Sequence, residues 1–334
     1  LLTLCINIVA RIQLVPLLKS VILIAMRTWM DLKRTEKEFQ GGVLTVGNFD
    51  GLHFGHQALL KKCQELAKPV ILMTFDPHPL QVLRPDRPHT RIFPRSDLME
   101  RLPLFGVDLL LILPFTKELA SLSAEEFLKK YVADPFAPKH LVAGHDFALG
   151  KNREGSLEFL RAWGERQACE LHVVEPLARG GEIFSSRRIR ELITNGEVER
   201  AAEKLGRFFY LKSEVGSGAG RGSGLGVPTM NLKPLKETIP AHGVYASRAW
   251  LNGICYGSVT NVGMNPTFGG AEGLKIETHI LGASVEARGL TVVVEFVKRL
   301  RPEMKFASIE DLKKQIKDDI LKAHEALDHI KPGK

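Results

Sequence analysis

Hydrophobic residues in this chain fall into short continuous runs separated by polar, proline-rich and glycine-rich punctuation, and the run lengths predict the elements. Val43-Leu44-Thr45-Val46 and Val70-Ile71-Leu72-Met73-Thr74-Phe75 are too short for helices and rich in β-prone side chains, so each predicts a buried strand. Between them, Ala58, Leu59 and Leu60 followed by Leu66 predict the apolar face of a helix. Asp76-Pro77-His78-Pro79 ends the second strand, because proline continues neither a helix interior nor a sheet ladder. Further strands are predicted over 109–113 and near Leu141-Val142-Ala143, and between them Ser123, with Glu126 three positions on, marks a capped helix start. Such alternation implies a parallel, doubly wound α/β sheet. From about Gly206 helical periodicity fades, and glycine-rich turns separate β-prone runs, the pattern of an antiparallel barrel or sandwich.

Composition adds a domain count. The 334 residues, 44% hydrophobic and 25% charged, supply material for two globular cores. The organisation expected is an N-terminal extension over 1–38, an α/β domain over 39–205 and a β domain over 206–330. The first 25 residues are apolar, but Arg11 and Lys19 interrupt them, and no continuous apolar stretch of about 18 residues exists. Leu1 is not a start methionine, and Met26 and Met30 are alternative starts. Cys5, Cys63, Cys169 and Cys255 are scattered with no C-x-x-C pair, so no disulfide framework is expected and the compartment is read as cytoplasmic. A net charge of +8 suits polyanions, but nucleotides qualify as well as nucleic acids. The expected partners are therefore small molecules, with no stable nucleic acid, no membrane and at most a weak homo-oligomer.

The strand-to-helix turn carries the first candidate chemistry. Gly47-Asn48-Phe49-Asp50-Gly51-Leu52-His53-Phe54-Gly55-His56 places glycines where backbone amides and a helix N-terminus can approach phosphate oxygens. His53 and His56 would face those phosphates together, each able to donate a hydrogen bond to charge growing on an α-phosphate. Metal ligation by this pair is not expected, because no soft ligands stand nearby in sequence. His78, at a strand's C-terminal end, is either a second contact to the same ligand or a solvated loop histidine. Gly144 to Gly155 forms another glycine-punctuated loop after a strand, with Asp146 and Phe147 near its start. Ser185-Ser186-Arg187-Arg188-Ile189-Arg190 opens a helix with two hydroxyls and forked cations that suit a polyphosphate, or else present a solvated basic face.

In the second half, Gly216 to Gly226 contains Gly216, Gly220, Gly222 and Gly226. This run reads as a phosphate-wrapping backbone nest or as a flexible linker, and it lacks the Gly-Lys-Ser/Thr of a Walker loop. Pro228-Thr229-Met230-Asn231 follows, with Thr229 and Asn231 at i, i+2 on one strand face, where both oxygens can share a magnesium ion with ATP. Lys275-Ile276-Glu277-Thr278-His279-Ile280 alternates as a strand and offers Glu277 as a general base or as a solvent-facing strand residue.

Taken in order, these motifs resemble the prokaryotic bifunctional riboflavin kinase/FAD synthetase family. Residues 41–205 are similar to its adenylyltransferase half through Gly47–His56, Thr74–Pro79, Gly144–Gly155 and Ser185–Arg190. Residues 206–325 are similar to its riboflavin kinase half. The motifs there are Gly216–Asn231, Gly243–Ala246, Asn261–Gly263 with Asn265–Phe268, Glu277–His279, and Arg301 to Phe306. The resemblance implies a Rossmann-like nucleotidyltransferase domain followed by a six-stranded β-barrel with a terminal helix capped by Ser308. It implies phosphorylation of riboflavin to FMN at the γ-phosphate of Mg-ATP, and adenylylation of FMN to FAD with loss of pyrophosphate. By motif, His53 and His56 would stabilise the adenylyl transition state. Gly47, Asn48, Phe49, Asp50, Gly51, Gly55, Ser185, Ser186, Arg188 and Arg190 would hold phosphates, and Asp76, His78, Asp146 and Phe147 would meet flavin. Glu277 would activate the riboflavin hydroxyl, with magnesium at Thr229 and Asn231. The chain departs from the family at Arg187, where threonine or serine is usual, at Leu149, where an aromatic is common, and at Arg288-Gly289, where a Tyr-Gly pair is common. Arg187 and Arg288 motivate an alternative in which one domain alone works, and the basic balance motivates another in which the chain is a silent flavin- or RNA-binding regulator.

Overall fold

The apolar runs become strands wherever they are long enough to be buried on both faces. In the computed structural model, which describes residues 26–32, 36–87, 89–179, 181–216, 227–264 and 273–328, these residues fall into two compact units, with boundaries at Thr90/Arg91, Phe93/Pro94 and Ser185/Ser186.

The first unit is built on a six-stranded parallel sheet. Its strands are β1 (Arg27–Trp29), β2 (Val43–Val46), β3 (Val70–Asp76), β4 (Leu109–Pro114), β5 (His140–Gly144) and β6 (Glu170–Val174), in spatial order β1-β4-β3-β2-β5-β6. Alternate side chains sort onto two faces. Val43, Val70, Leu72, Leu110, Ile112 and Val142 pack with Leu60 and Cys63 of the helix Phe54–Leu66. Leu44, Ile71, Met73, Leu109, Leu111 and Leu141 pack with Leu160 and Trp163 of the helix Leu157–Gln167. Each fully buried aliphatic side chain contributes about 1.5–3 kcal/mol, and coverage of both faces explains why the strands read as continuous apolar runs. The expected helix start at Ser123 is present, with the reciprocal Ser123–Glu126 capping box. A two-stranded ribbon, β7 (Ala178–Arg179) with β8 (Glu182–Ile183), follows β6.

Two strands of this six-stranded sheet went unread in the sequence. β1 lies within the stretch expected to be an extension, yet it pairs in parallel with β4. Trp29 packs edge-on against buried Phe39 at 5.3 Å, and Arg27 pairs with Glu36 and Glu38. β6, which contains Glu170 and His172, pairs with β5 at the opposite edge. Both are edge strands, and their polar content hides them among turn residues. Residues 1–25 lie outside the described residues.

The second unit is a closed barrel of β9 (Phe209–Gly216), β10 (Met230–Leu232), β11 (Gly243–Leu251), β12 (Ile254–Met264), β13 (Leu274–Ile280) and β14 (Thr291–Pro302). The strands follow the order β10-β13-β12-β11-β14-β9 with every neighbour antiparallel. Its interior is not wholly apolar. Ser247 Oγ lies 2.8 Å from Ser258 Oγ and 2.7 Å from Thr260 Oγ1, which lies 2.9 Å from Thr278 Oγ1, so these buried hydroxyls satisfy one another. The terminal helix Ile309–Asp328 starts where Ser308 Oγ accepts from the Asp311 N–H. Buried Asp319 ties this helix to β14 by bidentate contacts with Arg301, at 3.0 and 2.8 Å. The helices Ser186–Thr194 and Val198–Leu205 bury Ile189, Leu192, Ile193, Val198, Ala201 and Leu205 in the barrel's core cluster. Hence they join this unit, whereas the expected domain boundary lay after residue 205.

Candidate active sites

The connection order creates the first site. From β2 the chain runs outward to β3 and β4, then crosses to β5 on β2's other side, so a crevice opens at the strand C-termini between β2 and β5. The loop after β2 fills its mouth. Phe49 and Leu52 adopt left-handed backbone conformations at φ +48° and +40°, flanking Gly51 at +82°, and such strain outside glycine costs on the order of 1–3 kcal/mol each. Asp50 is buried, and the Thr74 hydroxyl reaches the Asn48 carbonyl at 3.4 Å.

His53 caps the helix Phe54–Leu66, and its Nδ1 accepts the Gly55 N–H at 3.1 Å. Because Nδ1 accepts, a neutral His53 ring carries its proton on Nε2, leaving that nitrogen as a donor. The His56 ring stacks on His53 with centroids 3.8 Å apart, and Phe49 lies 5.0 Å from His56 on centroids. Burial, followed by repulsion from His53, holds His56 well below the ordinary histidine pKa, so it is neutral near pH 7. Asn48 Oδ1 and His56 Nδ1 are buried and meet no hydrogen-bond partner among the described residues. Orphaned polar atoms in such a crevice fit a polar ligand. A Cβ on Gly55 would lie 3.0 Å from the His53 ring and 3.5 Å from the Phe184 carbonyl, which accounts for glycine there.

The neighbouring strand ends supply the other expected contacts. Asp76 ends β3 and pairs with Arg95 at 2.5 Å, and Arg95 also donates to the Phe75 carbonyl at 3.1 Å. The solvated-loop reading of His78 does not hold. The residue is 4% exposed, caps the short helix Pro79–Leu83 through Nδ1, and stacks on His89 at 3.8 Å. Past β5, the Asp146 side chain is 84% exposed, and Phe147 packs at the edge of the apolar core beside Leu149. Leu149 forms an isolated backbone bridge to Gly155. Ser185 ends the first unit, directly after Phe184, whose ring lies 6.1 Å from Phe54. Ser186, Arg188 and Arg190 stand on the next helix, in the barrel unit. The Arg187 side chain is 88% exposed and pairs with Glu191 at 3.0 Å, so its charge is spent at the surface.

The barrel holds the second site. Ile276, Thr278 and Ile280 of β13 are buried, so Glu277 lies on the strand's opposite face with Lys275 and His279. Asn231 is Glu277's register partner across the β10–β13 ladder. The Thr229 hydroxyl reaches Glu277 Oε1 at 3.5 Å, and Lys275 Nζ donates to the same oxygen at 2.6 Å. His279 Nδ1 lies 2.8 Å from the Pro228 carbonyl and anchors the segment before Thr229. A cavity of about 510 Å³ is lined by Gly216, Thr229, Asn231, Thr278 and Arg288, so the arginine departure places a cation at its rim. Gly220, Gly222 and Gly226, together with Asn265 to Phe268, lie outside the described residues. Arg95 and Lys275 were given no role from sequence. Lys275 was legible there, since strand alternation puts residues 275 and 277 on one face, whereas the Arg95–Asp76 contact carries no local signal.

Comparison with known proteins covers both units. The FAD synthetase family profile matches residues 35–188, and the riboflavin kinase profile matches residues 205–327. The bifunctional riboflavin kinase/FMN adenylyltransferase of Escherichia coli K12 is 32% identical over 299 residues, 88% of this chain and 95% of that protein. Its Bacillus subtilis namesake is 34% identical over 293 residues, 85% and 92% of the two chains. A crystal structure titled as a macrolide-efflux protein from Streptococcus pneumoniae superposes with a TM-score of 0.80 at 30% identity, covering 89% of this chain and 98% of that one. Among the described residues no helix is long and apolar enough to cross a membrane. With both family profiles matched in order, relatives at 32–34% identity and near-complete coverage of their length, the chain belongs to the bifunctional riboflavin kinase/FMN adenylyltransferase family.

Proposed function

We propose that the two units divide the family's two reactions, with His53 and His56 serving FMN adenylylation and Glu277 serving riboflavin phosphorylation. The chain is a riboflavin kinase and FMN adenylyltransferase whose substrates are riboflavin, FMN and ATP. The observation that supports the division is that each unit has its own reactive cluster on its own scaffold. These are the stacked His53–His56 pair with two orphaned polar atoms, and Glu277 with Thr229 at 3.5 Å.

In the sheet unit, the FMN phosphate attacks the α-phosphorus of ATP and pyrophosphate leaves. His53, donating from Nε2, and His56 offer hydrogen bonds to charge accumulating on the α-phosphoryl oxygens, in a loop whose strain is already met by folding. Asp76, His78, Asp146 and Phe147 border the flavin side. Gly47, Asn48, Phe49, Asp50, Gly51, Gly55 and Ser185 border the phosphates. In the barrel, Glu277 accepts the proton of the riboflavin hydroxyl as it attacks the γ-phosphorus. Gly216 borders the phosphates there.

Thr229 and Asn231 would hold Mg²⁺, since hydroxyl, amide and carboxylate oxygens form the hard donor set that ion prefers. Bound there, the ion would neutralise phosphate charge. Free thiols at Cys63, Cys169 and Cys255 suit a reducing, cytoplasmic setting.

The test is product chromatography with riboflavin or FMN supplied separately. Replacing His53 and His56 by alanine should lower FAD formation by about 10³-fold or more and spare FMN formation. Glu277→Gln should lower FMN formation by about 10²–10⁴-fold and spare FAD formation from FMN. Loss of both products in either folded variant would sink the division.

A further inference from the structure

At the end of the sheet away from the nucleotide crevice, two histidines and a glutamate converge. His140 opens β5, and Glu170 opens β6 as its register partner; His172 stands two residues further on, on the same face. His140 Nδ1 lies 3.1 Å from His172 Nε2, and Glu170 Oε2 lies 3.7 Å and 3.6 Å from those two nitrogens. A triangle with these sides has its corners about 2.0 Å from one common point, the bond length of zinc to imidazole nitrogen and carboxylate oxygen. The two imidazole side chains are 22% and 16% exposed, whereas the carboxylate is 67% exposed, so the cluster is rooted in the sheet and open on one side. A cavity of about 660 Å³ lined by His140, Glu165 and Glu170 leads to it. Lys139 lines the same cavity, and Lys62 of the helix Phe54–Leu66 acts electrostatically on His172, so the local field is mixed.

We propose that His140, Glu170 and His172 form a binding site for a divalent transition-metal ion, Zn²⁺ by donor set, with water completing the coordination. Two imidazoles and one carboxylate suit zinc, cobalt and nickel better than magnesium, which favours oxygen. The site is separate from the adenylyl-transfer crevice. His140 and Gly144 are the two ends of β5, and at about 3.3 Å per residue roughly 13 Å of strand divides them. An ion here would join edge strand β6 to β5 through side chains in addition to the backbone ladder, so its binding energy would add to the stability of that edge.

The experiment uses the full-length protein, stripped with a chelator and dialysed. Zn²⁺ binding is read by equilibrium dialysis with metal analysis, and Co²⁺ by its visible ligand-field absorption. The expected result is one saturable Zn²⁺ per chain, displacing Co²⁺, and retained when His53 and His56 are both alanine. Second-shell changes already cost tenfold or more, so Glu170→Gln should weaken Zn²⁺ by at least about tenfold, and His140→Ala with His172→Ala by at least about 100-fold. Glu170→Gln changes an exposed side chain and decides the matter even where the histidine variant fails to fold. Absence of saturable Zn²⁺ binding in the wild type would reduce the cluster to a histidine–histidine hydrogen bond. Binding unchanged by Glu170→Gln, or abolished by removing His53 and His56, would likewise overturn the proposal.

Discussion

In the parallel-sheet unit the candidate reactive groups stand on a loop and a helix's first turn, whereas in the barrel Glu277 and Lys275 stand within a paired strand, beside Thr229. The loop site depends on backbone conformations at Phe49 and Leu52 that side chains disfavour, and on one glycine beside the His53 ring. The strand site depends chiefly on register, since pairing Asn231 with Glu277 fixes which side chains are neighbours, with His279 holding the segment before Thr229. A site of the first kind is vulnerable to small local insertions of volume. One of the second kind, with its reacting side chains kept, is lost when its scaffold is lost.

The largest expected effect tests that second statement. Asp319 is 3% exposed and bound bidentately by Arg301, so Asp319→Ala leaves a mostly buried guanidinium without its carboxylate. Stability of the barrel unit should fall by about 3–5 kcal/mol, read by urea unfolding, with FMN formation lost at lower urea than FAD formation from added FMN. Simultaneous loss of both activities would show that the two scaffolds unfold as one. Next in size is Gly55→Ala. A new Cβ 3.0 Å from the His53 ring makes the ring give by a few tenths of an ångström, and since a misplacement near 1 Å costs about 10²-fold, FAD formation should drop measurably but by less than that order while FMN formation holds. An unchanged FAD rate would break the contrast between the sites.

The smallest effect is in pH dependence. His56 is held well below 6.5 when folded and titrates near 6.5 when unfolded, so above that pH both states are neutral there and no stability difference arises. As pH falls below about 6.5 the unfolded chain takes up a proton that the folded chain resists, and stability declines until the folded pKa is passed. His56→Asn should flatten this slope in urea midpoints measured between pH 7 and pH 5. A slope identical in wild type and variant would contradict a buried, neutral His56.

Legibility followed burial and sequence distance. The central strands were visible because Val43–Val46 and Val70–Phe75 are covered on both faces and so cannot alternate with polar residues. The edge strands were not, because Arg27 at one edge and Glu170 with His172 at the other read as surface. The His53–His56 stacking was legible because the two stand three positions apart at a helix start, and the Lys275–Glu277 contact because period two places them on one strand face. The Arg95–Asp76 pair and the His140–His172 contact join residues far apart in the chain. Strand order alone creates such neighbours, and no short-range pattern encodes it.

β1 carries one more consequence. It covers the hydrogen-bonding rim of β4, whose Leu109 to Leu113 are all buried. A chain begun at Met30 would lack that cover and present unpaired amides and carbonyls along a row of leucines and isoleucine, a template for another molecule's strand. Such a truncated protein should be limited first by self-association in storage and expression, well before any defect in flavin chemistry could be measured.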